Sequence, residues 1–96
     1  MERTGNPFRE LRRAARMSPG EFADAIGVNY PALWSAERGR VAEPTLLLEA
    51  LERAGFDSEE LAVRYREWRL AVAEEHRHQF RERLEAVRGR VAGGAA

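Results

Sequence analysis

The sequence predicts an all-α protein made of four short helices and one long C-terminal helix. Apolar residues recur at spacings of three and four along the chain, as one face of a helix requires. Favoured capping residues precede these stretches, and glycine follows them. The chain has 96 residues, of which 44% are hydrophobic and 33% charged, and this composition fits one globular domain with a single core.

The first two predicted helices are defined by their capping residues. Asn6-Pro7 begins the first helix, whose apolar stripe consists of Phe8, Leu11 and Ala15. Ser18 begins the second, with Pro19 at the first helical position and Glu21 three residues after the cap. This spacing is that of a capping box, and proline is harmless where no N–H is needed. The second helix is expected to end at Gly27.

The third predicted helix follows the second after a turn of one glycine and one polar residue. Asn29 is a favoured cap, Pro31 lies in the first turn, and Gly39 suits a left-handed C-terminal stop. The second and third helices are expected to bury a shared set of apolar side chains, namely Phe22, Ala23, Ile26, Val28, Leu33 and Ala36. This layout is that of a helix-turn-helix.

The last two predicted helices differ greatly in length. The fourth begins at Pro44 and ends at Gly55, and its stripe consists of Leu47, Leu48, Leu51 and Ala54. Asp57, followed by Glu60, caps the fifth, which meets no glycine or proline before Gly89. A helix over 58–88 would be about 46 Å long, whereas a domain of this size is roughly 30 Å across. The fifth helix must therefore overhang the domain or bend.

An overhanging apolar stripe needs a cover, and a second copy of the chain is the simplest one. The sequence thus predicts a two-fold homodimer formed through Trp68, Val72, Phe80, Leu84 and Val87, whereas Leu61 and Tyr65 belong to the domain's own core. The polar segment 74–78 leaves a bend and a helical hairpin as the alternative. The expected units are a domain over 1–57, a dimerisation helix over 58–90 and a disordered tail over 91–96.

From about Phe8 to Phe56 the chain resembles the Cro and phage-repressor (XRE-type) DNA-binding domains. The matching positions are Leu11-Arg12, Ser18 through Ala23, Gly27-Val28, Leu33, Glu37-x-Gly39, Pro44, Leu48, Leu51, Ala54 and Gly55. The resemblance implies a lambda-repressor-like fold of five helices. It also implies that Arg12 pairs with Glu37 and ties the first helix to the end of the third.

The same resemblance implies a sequence-specific transcription regulator that binds double-stranded operator DNA as a dimer through the major groove. In this family the start of the third helix faces the base edges. The expected base contacts are Asn29, Tyr30, Pro31 and Ser35. The expected phosphate contacts are Arg13, Arg16, Arg38 and Arg40. Two such helices about 34 Å apart would match a palindromic site.

A protein-interaction module is the alternative. Pro19 stands where the family typically carries Gln, and Glu43 stands where relatives often carry a basic residue. Tyr30 and Trp34 add aromatic surface with few cations, which is typical of protein interfaces. Such a module would bind a toxin, a sigma factor or another phage or host regulator, and an antitoxin would bind both DNA and protein.

Charge is unevenly distributed along a chain whose formal net charge is zero. Residues 1–40 hold seven Arg against five acids, residues 41–75 four against nine, and residues 76–96 five against two. The predicted helix-turn-helix is therefore only weakly basic, and its attraction for DNA should be modest and sensitive to salt.

Other functional classes have no support in the sequence. No nucleophile is placed with a His and an acid, so no enzymatic activity is expected. The chain has no Cys, and His76 and His78 point to different sides of a helix, so neither a metal nor a cofactor is expected. The longest apolar run, 70–73, is far too short to span a membrane. We therefore expect a cytoplasmic protein without a membrane partner.

Overall fold

The computed structural model describes residues 5–94, and within them it is all-α. Its five helices are α1 (Pro7–Ala14), α2 (Pro19–Ile26), α3 (Tyr30–Glu37), α4 (Thr45–Arg53) and α5 (Ser58–Gly94). The predicted all-α class and the predicted number of helices are thereby confirmed.

The predicted caps begin the first three helices. The Asn6 side chain accepts hydrogen bonds from the first-turn amides of α1, and Asn29 accepts one from the Ala32 amide at 2.8 Å. Ser18 and Glu21 exchange both bonds of the capping box. Each bond satisfies an amide that has no partner within its own helix, so these residue types fix where the helices start.

The C-terminal turn of α1 differs from those of the next three helices. Gly27, Gly39 and Gly55 follow α2, α3 and α4 with φ values of 75°, 72° and 95°. The corresponding residue after α1 is Arg16, with φ of 57°, and the next amide, of Met17, donates to the Arg12 carbonyl at 3.1 Å. A residue with a Cβ is strained in this left-handed region, so α1 ends at a cost that glycine would avoid.

One hydrophobic core joins all five helices. Its fully buried members are Phe8, Phe22, Ala23, Leu33, Ala36, Leu47, Leu51, Leu61, Tyr65 and Trp68. The Tyr65 ring centroid lies 5.3 Å from that of Phe8 and 5.9 Å from that of Trp68. The first part of α5 is thus the central element against which α1 and α4 pack.

The prediction that Trp68 lies in a dimer interface is wrong. Trp68 is only 7% exposed and belongs to the domain's own core, and Val72 packs partly buried against the same core. With Leu61 and Tyr65 these residues follow one another at spacings of four, three and four, so they share one face of α5. The chain's own helices cover most of that face, so Trp68 is not available to a second copy, whereas Val72 stays partly exposed.

Helix α5 is continuous and long. Its 37 residues correspond to about 55 Å, and the molecule measures 62 × 28 × 22 Å. No bend interrupts segment 74–78, so the hairpin alternative is wrong. The helix also passes Gly89 and reaches Gly94, because one glycine costs only about 1 kcal/mol. The predicted tail is therefore helical over 91–94, and residues 95 and 96 lie outside the described part.

No helix of the described residues is both long enough and apolar enough to cross a membrane. Helix α5 has the length, but charged side chains recur throughout its sequence.

Candidate nucleic-acid interface

The C-terminal end of α3 is held by side chains of α1 and of its cap. Asn6, which is 3% exposed, donates from Nδ2 to the carbonyls of Ala36 at 3.0 Å and Glu37 at 3.2 Å. Arg9 donates to the same Glu37 carbonyl at 2.9 Å. Carbonyls in the last turn of a helix lack hydrogen-bond partners within that helix. These donors therefore satisfy the last carbonyls of α3 and also fix the position of the helix.

The predicted pair of Arg12 with Glu37 is confirmed. Arg12 donates from Nε and Nη2 to the two carboxylate oxygens of Glu37 at 2.9 and 2.8 Å, and from Nη1 to the Met17 carbonyl at 3.2 Å. Glu37 is 6% exposed, and its hydrogen bonds to Arg12 raise the pKa of that guanidinium. A bidentate pair of this kind is stronger and more directional than a single contact. It therefore ties α1 to the end of α3.

Helix α5 holds the loop that follows α3. Arg69 donates from Nε to the Gly39 carbonyl at 3.0 Å, and the Tyr65 hydroxyl donates to the Val41 carbonyl at 2.6 Å. The Trp68 ring lies so close to Gly39 that a Cβ there would be 2.8 Å from Cζ3. Gly39 is thus required both by its positive φ and by this close packing.

The N-terminal half of α3 faces outward. Asn29 and Pro31 are exposed, Tyr30 is 49% exposed, and Ser35 is partly buried. The Asn29 Oδ1 atom accepts the Ala32 amide, and Nδ2 of the same side chain remains available as a donor to a partner. The four predicted base-contact residues are therefore accessible to different degrees. They lie in or next to the N-terminal half of α3, whereas its C-terminal end is held by α1.

Two of the predicted phosphate contacts are brought together on an aromatic ring. The guanidinium groups of Arg38 and Arg40 lie 4.7 and 5.2 Å from the ring centroid of Trp34, which is 36% exposed. Within residues 5–94 neither guanidinium has a carboxylate at ion-pair distance. We call Trp34, Arg38 and Arg40 the cation–aromatic cluster. The cluster was not predicted from the sequence, although the four-residue spacing of Trp34 and Arg38 on a helix is a detectable signal.

The other two predicted phosphate contacts lie apart from this cluster. Arg13 and Arg16 are exposed at the end of α1. The described residues show no hydrogen bond or ion pair from either side chain. The structure thus leaves both side chains accessible without joining them to α3.

Two grooves flank the exposed side of α3. One, of about 180 Å³, is lined by Tyr30, Trp34 and Arg38 together with Arg9, Arg12, Pro19 and Glu37. The other, of about 350 Å³, is lined by Pro31, Ser35 and Glu43 together with Ala32, Val41, Pro44, Thr45, Leu46 and Leu47. Of the predicted base contacts, Tyr30 therefore lies on the side that is rich in Arg, whereas Pro31 and Ser35 lie on the side of Glu43.

Metal-ligating residues are not clustered in the described part of the chain. Within residues 5–94 no three His, Cys, Asp or Glu side chains are close enough to hold a metal ion. The His76 ring instead contacts the Phe80 ring edge-on at 6.0 Å.

Comparisons of the chain with protein-family models, with curated proteins and with solved structures find no match. The relation to the XRE-type domains therefore stays a prediction from the sequence motif, and the functional inference has to come from the residues and geometry described above.

Proposed function

We propose that the protein is a DNA-binding transcription regulator of the XRE/Cro type, which binds operator DNA as a homodimer through the major groove. The observation that carries this proposal is the asymmetry of α3. Its C-terminal end is held by Asn6, Arg9, Arg12 and Arg69, whereas its N-terminal half faces solvent. A helix that enters a groove needs a fixed orientation and a free tip.

The side chains at this tip favour contact with thymine. Tyr30 and Pro31 offer ring surface, which suits the thymine methyl group, and the Tyr30 hydroxyl adds one hydrogen-bonding group. The Asn29 amide Nδ2 can donate to an acceptor on a base edge while Oδ1 of the same side chain caps the helix.

Phosphate contacts in this proposal come mainly from the cation–aromatic cluster. Trp34 restricts where Arg38 and Arg40 can move, so less side-chain entropy is lost when they bind phosphate. Arg13 and Arg16 add two further exposed cations. Because the net charge of the chain is zero, binding should depend on these contacts, and each phosphate that they neutralise should add to the loss of affinity with salt.

The decisive measurement is the salt dependence of DNA binding. Duplexes selected from genomic fragments would be titrated with the protein at several salt concentrations, with fluorescence anisotropy as the readout. Arg38→Ala is expected to lower the slope of log K against log salt by about 1, as loss of one phosphate contact predicts. Arg53→Ala is the matched control, because it removes an exposed Arg at the end of α4 and should leave the slope unchanged.

A second variant separates recognition from folding. Tyr30→Ala should weaken binding to the selected duplex and leave the melting temperature nearly unchanged, because half of this side chain is exposed. A drop in melting temperature that matches the loss of binding would instead assign Tyr30 to packing.

The second candidate is a protein-interaction module or an antitoxin with weak or no DNA binding. It is favoured by two neighbouring exposed aromatic residues, Tyr30 and Trp34, and by Glu43 in the groove on the other side of α3. Absence of salt-sensitive DNA binding at about 50 mM salt would favour this candidate over the regulator.

A further inference from the structure

Helix α5 carries an exposed apolar stripe that the domain does not cover. Its large members are between 44% and 68% exposed, and they are Val63, Leu70, Phe80, Leu84, Val87 and Val91. The same repeat also includes two charged residues and one small residue, namely Arg66, Arg77 and Ala73. The steps alternate between three and four residues from 63 to 91, which is a heptad repeat sustained over four heptads. We call these nine residues the heptad stripe.

The heptad stripe and the domain's own core lie on opposite faces of α5. The core uses Leu61, Tyr65, Trp68 and Val72, which occupy the two heptad positions farthest from the stripe. The domain does not bury the stripe, but it borders the stripe's first half. Arg66, Leu70 and Ala73 line a groove with Arg38 and Gly39, and Arg66 also lies beside α4. A strict 3.5-residue repeat is the pattern by which two helices bury a shared seam.

We propose that the heptad stripe is the dimer interface, and that it pairs with the heptad stripe of a second copy in antiparallel orientation. This inference rests on the homodimer of the proposed function and assigns its surface and its geometry. A second copy is favoured as the partner because α5 has an acidic half and a basic half. Opposite charges therefore lie side by side when two copies of α5 pair in antiparallel orientation.

The charge of α5 changes sign along its length. Residues 58–75 contain five acids and three Arg, whereas residues 76–94 contain five Arg and two acids. In a parallel pair the basic halves would lie side by side. In an antiparallel pair the basic half of each copy lies along the acidic half of the other, and charges beside the seam are what set helix orientation.

Individual positions beside the seam favour the same orientation. In a parallel pair Arg77 would face Arg77 of the second copy inside the seam, and Arg83 would face Arg88 beside it. In an antiparallel pair centred between residues 77 and 80, Arg77 instead lies against Phe80 of the second copy. Glu74 then lies beside Arg81 of the second copy, which replaces a repulsive contact by an attractive one.

The apolar residues also find partners in this register. Leu84 lies opposite Ala73 of the second copy, and Leu70 lies opposite Val87 of the second copy. Gly39, next to Trp68 and Arg69, marks the end of α3. Residues 68 and 69 lie about ten residues from the centre of the pair, so the two Gly39 residues are about 30 Å apart along the α5 axis. This distance is close to the 34–36 Å between half-sites on successive turns of DNA.

The orientation can be measured with spin labels, because the chain has no native Cys. Gln79→Cys and Gly89→Cys place single labels away from the heptad stripe, near the centre and near the end of the pair. Pulsed dipolar spectroscopy on each variant, without DNA, reports the distance between the two labels of a dimer. The antiparallel pair predicts an axial separation of about 30 Å at residue 89 and almost none at residue 79.

Each outcome of this experiment decides the inference. A clearly longer distance at residue 89 than at residue 79 supports the antiparallel pair. Equal distances at both positions indicate a parallel pair and overturn the proposed orientation. The absence of a dipolar signal, with a monomer in sedimentation, overturns the interface itself and directs the search to another covering partner.

A matched pair of variants tests the surface. Phe80→Glu should convert the dimer to a monomer in sedimentation, because it places a charge in the seam. Gln79→Glu introduces the same charge one residue away, outside the stripe, and should leave the dimer intact. A Phe80→Glu variant that stays dimeric would place the interface elsewhere.

Failure of the dimer and failure of the DNA-binding proposal are distinguishable. A monomer that still binds DNA with strong salt dependence would overturn the inference on α5 and the homodimer, and would leave DNA binding itself in place. An antiparallel dimer that shows no salt-sensitive DNA binding would overturn only the proposed regulator.

Discussion

The two parts of α5 have similar spacings of apolar residues but opposite surroundings. Up to Val72 one face of the helix is covered by the chain's own helices, and Tyr65 there is 1% exposed. Beyond Val72 the described part of the chain covers no face, and Leu84 is 68% exposed. Spacings of three and four thus predict that a helix has an apolar face, but they do not say which surface covers it.

The change of face along α5 explains why the sequence grouped Trp68, a core residue, with Phe80 and Leu84. Along the chain, steps of four and eight residues join one series of apolar side chains, namely Trp68, Val72, Phe80 and Leu84. In the structure the first two belong to the core face and the last two to the heptad stripe on the opposite side. A step of eight residues rotates a side chain by about 80° around the helix, and this shift carries the series from one face towards the other.

The largest expected effect comes from truncating one leucine in the covered core and one in the exposed part of α5. Leu51→Ala removes a side chain with no exposed surface and should lower the free energy of unfolding by about 3 kcal/mol. Leu84→Ala should change the free energy of unfolding of the monomer by less than about 0.5 kcal/mol, because its side chain is exposed. Urea denaturation at protein concentrations low enough to keep the chain monomeric measures both. Equal losses would contradict the division of the molecule into a covered and an uncovered region.

A medium effect is expected where α1 holds α3. Arg12→Ala leaves the buried Glu37 carboxylate without its bidentate partner and should lower the free energy of unfolding by about 2 kcal/mol. Arg13→Ala is the matched control: it removes an exposed neighbour that makes no ion pair within the described residues, so stability should stay nearly constant. Urea denaturation is again the measurement. A stable Arg12→Ala variant would mean that Asn6 and Arg9 hold α3 without this pair.

The smallest expected effect is a gain in stability at the end of α1. Arg16 has a φ of 57°, so Arg16→Gly should relieve strain and raise the free energy of unfolding by about 1 kcal/mol. Arg13→Gly, inside the helix, should lower the free energy of unfolding by a similar amount. If Arg16 contacts phosphate, Arg16→Gly should also weaken DNA binding, so that stability and affinity change in opposite directions. Loss of stability in Arg16→Gly would show that its side chain packs usefully in the turn.

Much of the candidate site could be predicted from the sequence because local chemistry defines it. Ser18, Glu21 and Asn29 satisfy amides within three residues of themselves, so short-range patterns predict them. The pair of Arg12 with Glu37 is a longer contact, and the sequence predicted it only through the resemblance to a known family. The bridge from Asn6 to the end of α3 was missed, since its partners lie 30 and 31 residues away.

The sequence by itself determined the five helices, the caps of the first three and the left-handed turns at Gly27, Gly39 and Gly55, because hydrogen bonds between near neighbours and the φ preference of glycine decide those features. Only the tertiary structure decided which face of α5 is covered, that Arg38 and Arg40 share the Trp34 ring, and which half of α3 stays exposed. Burial depends on how distant helices are placed around a common core, and no local spacing specifies that placement.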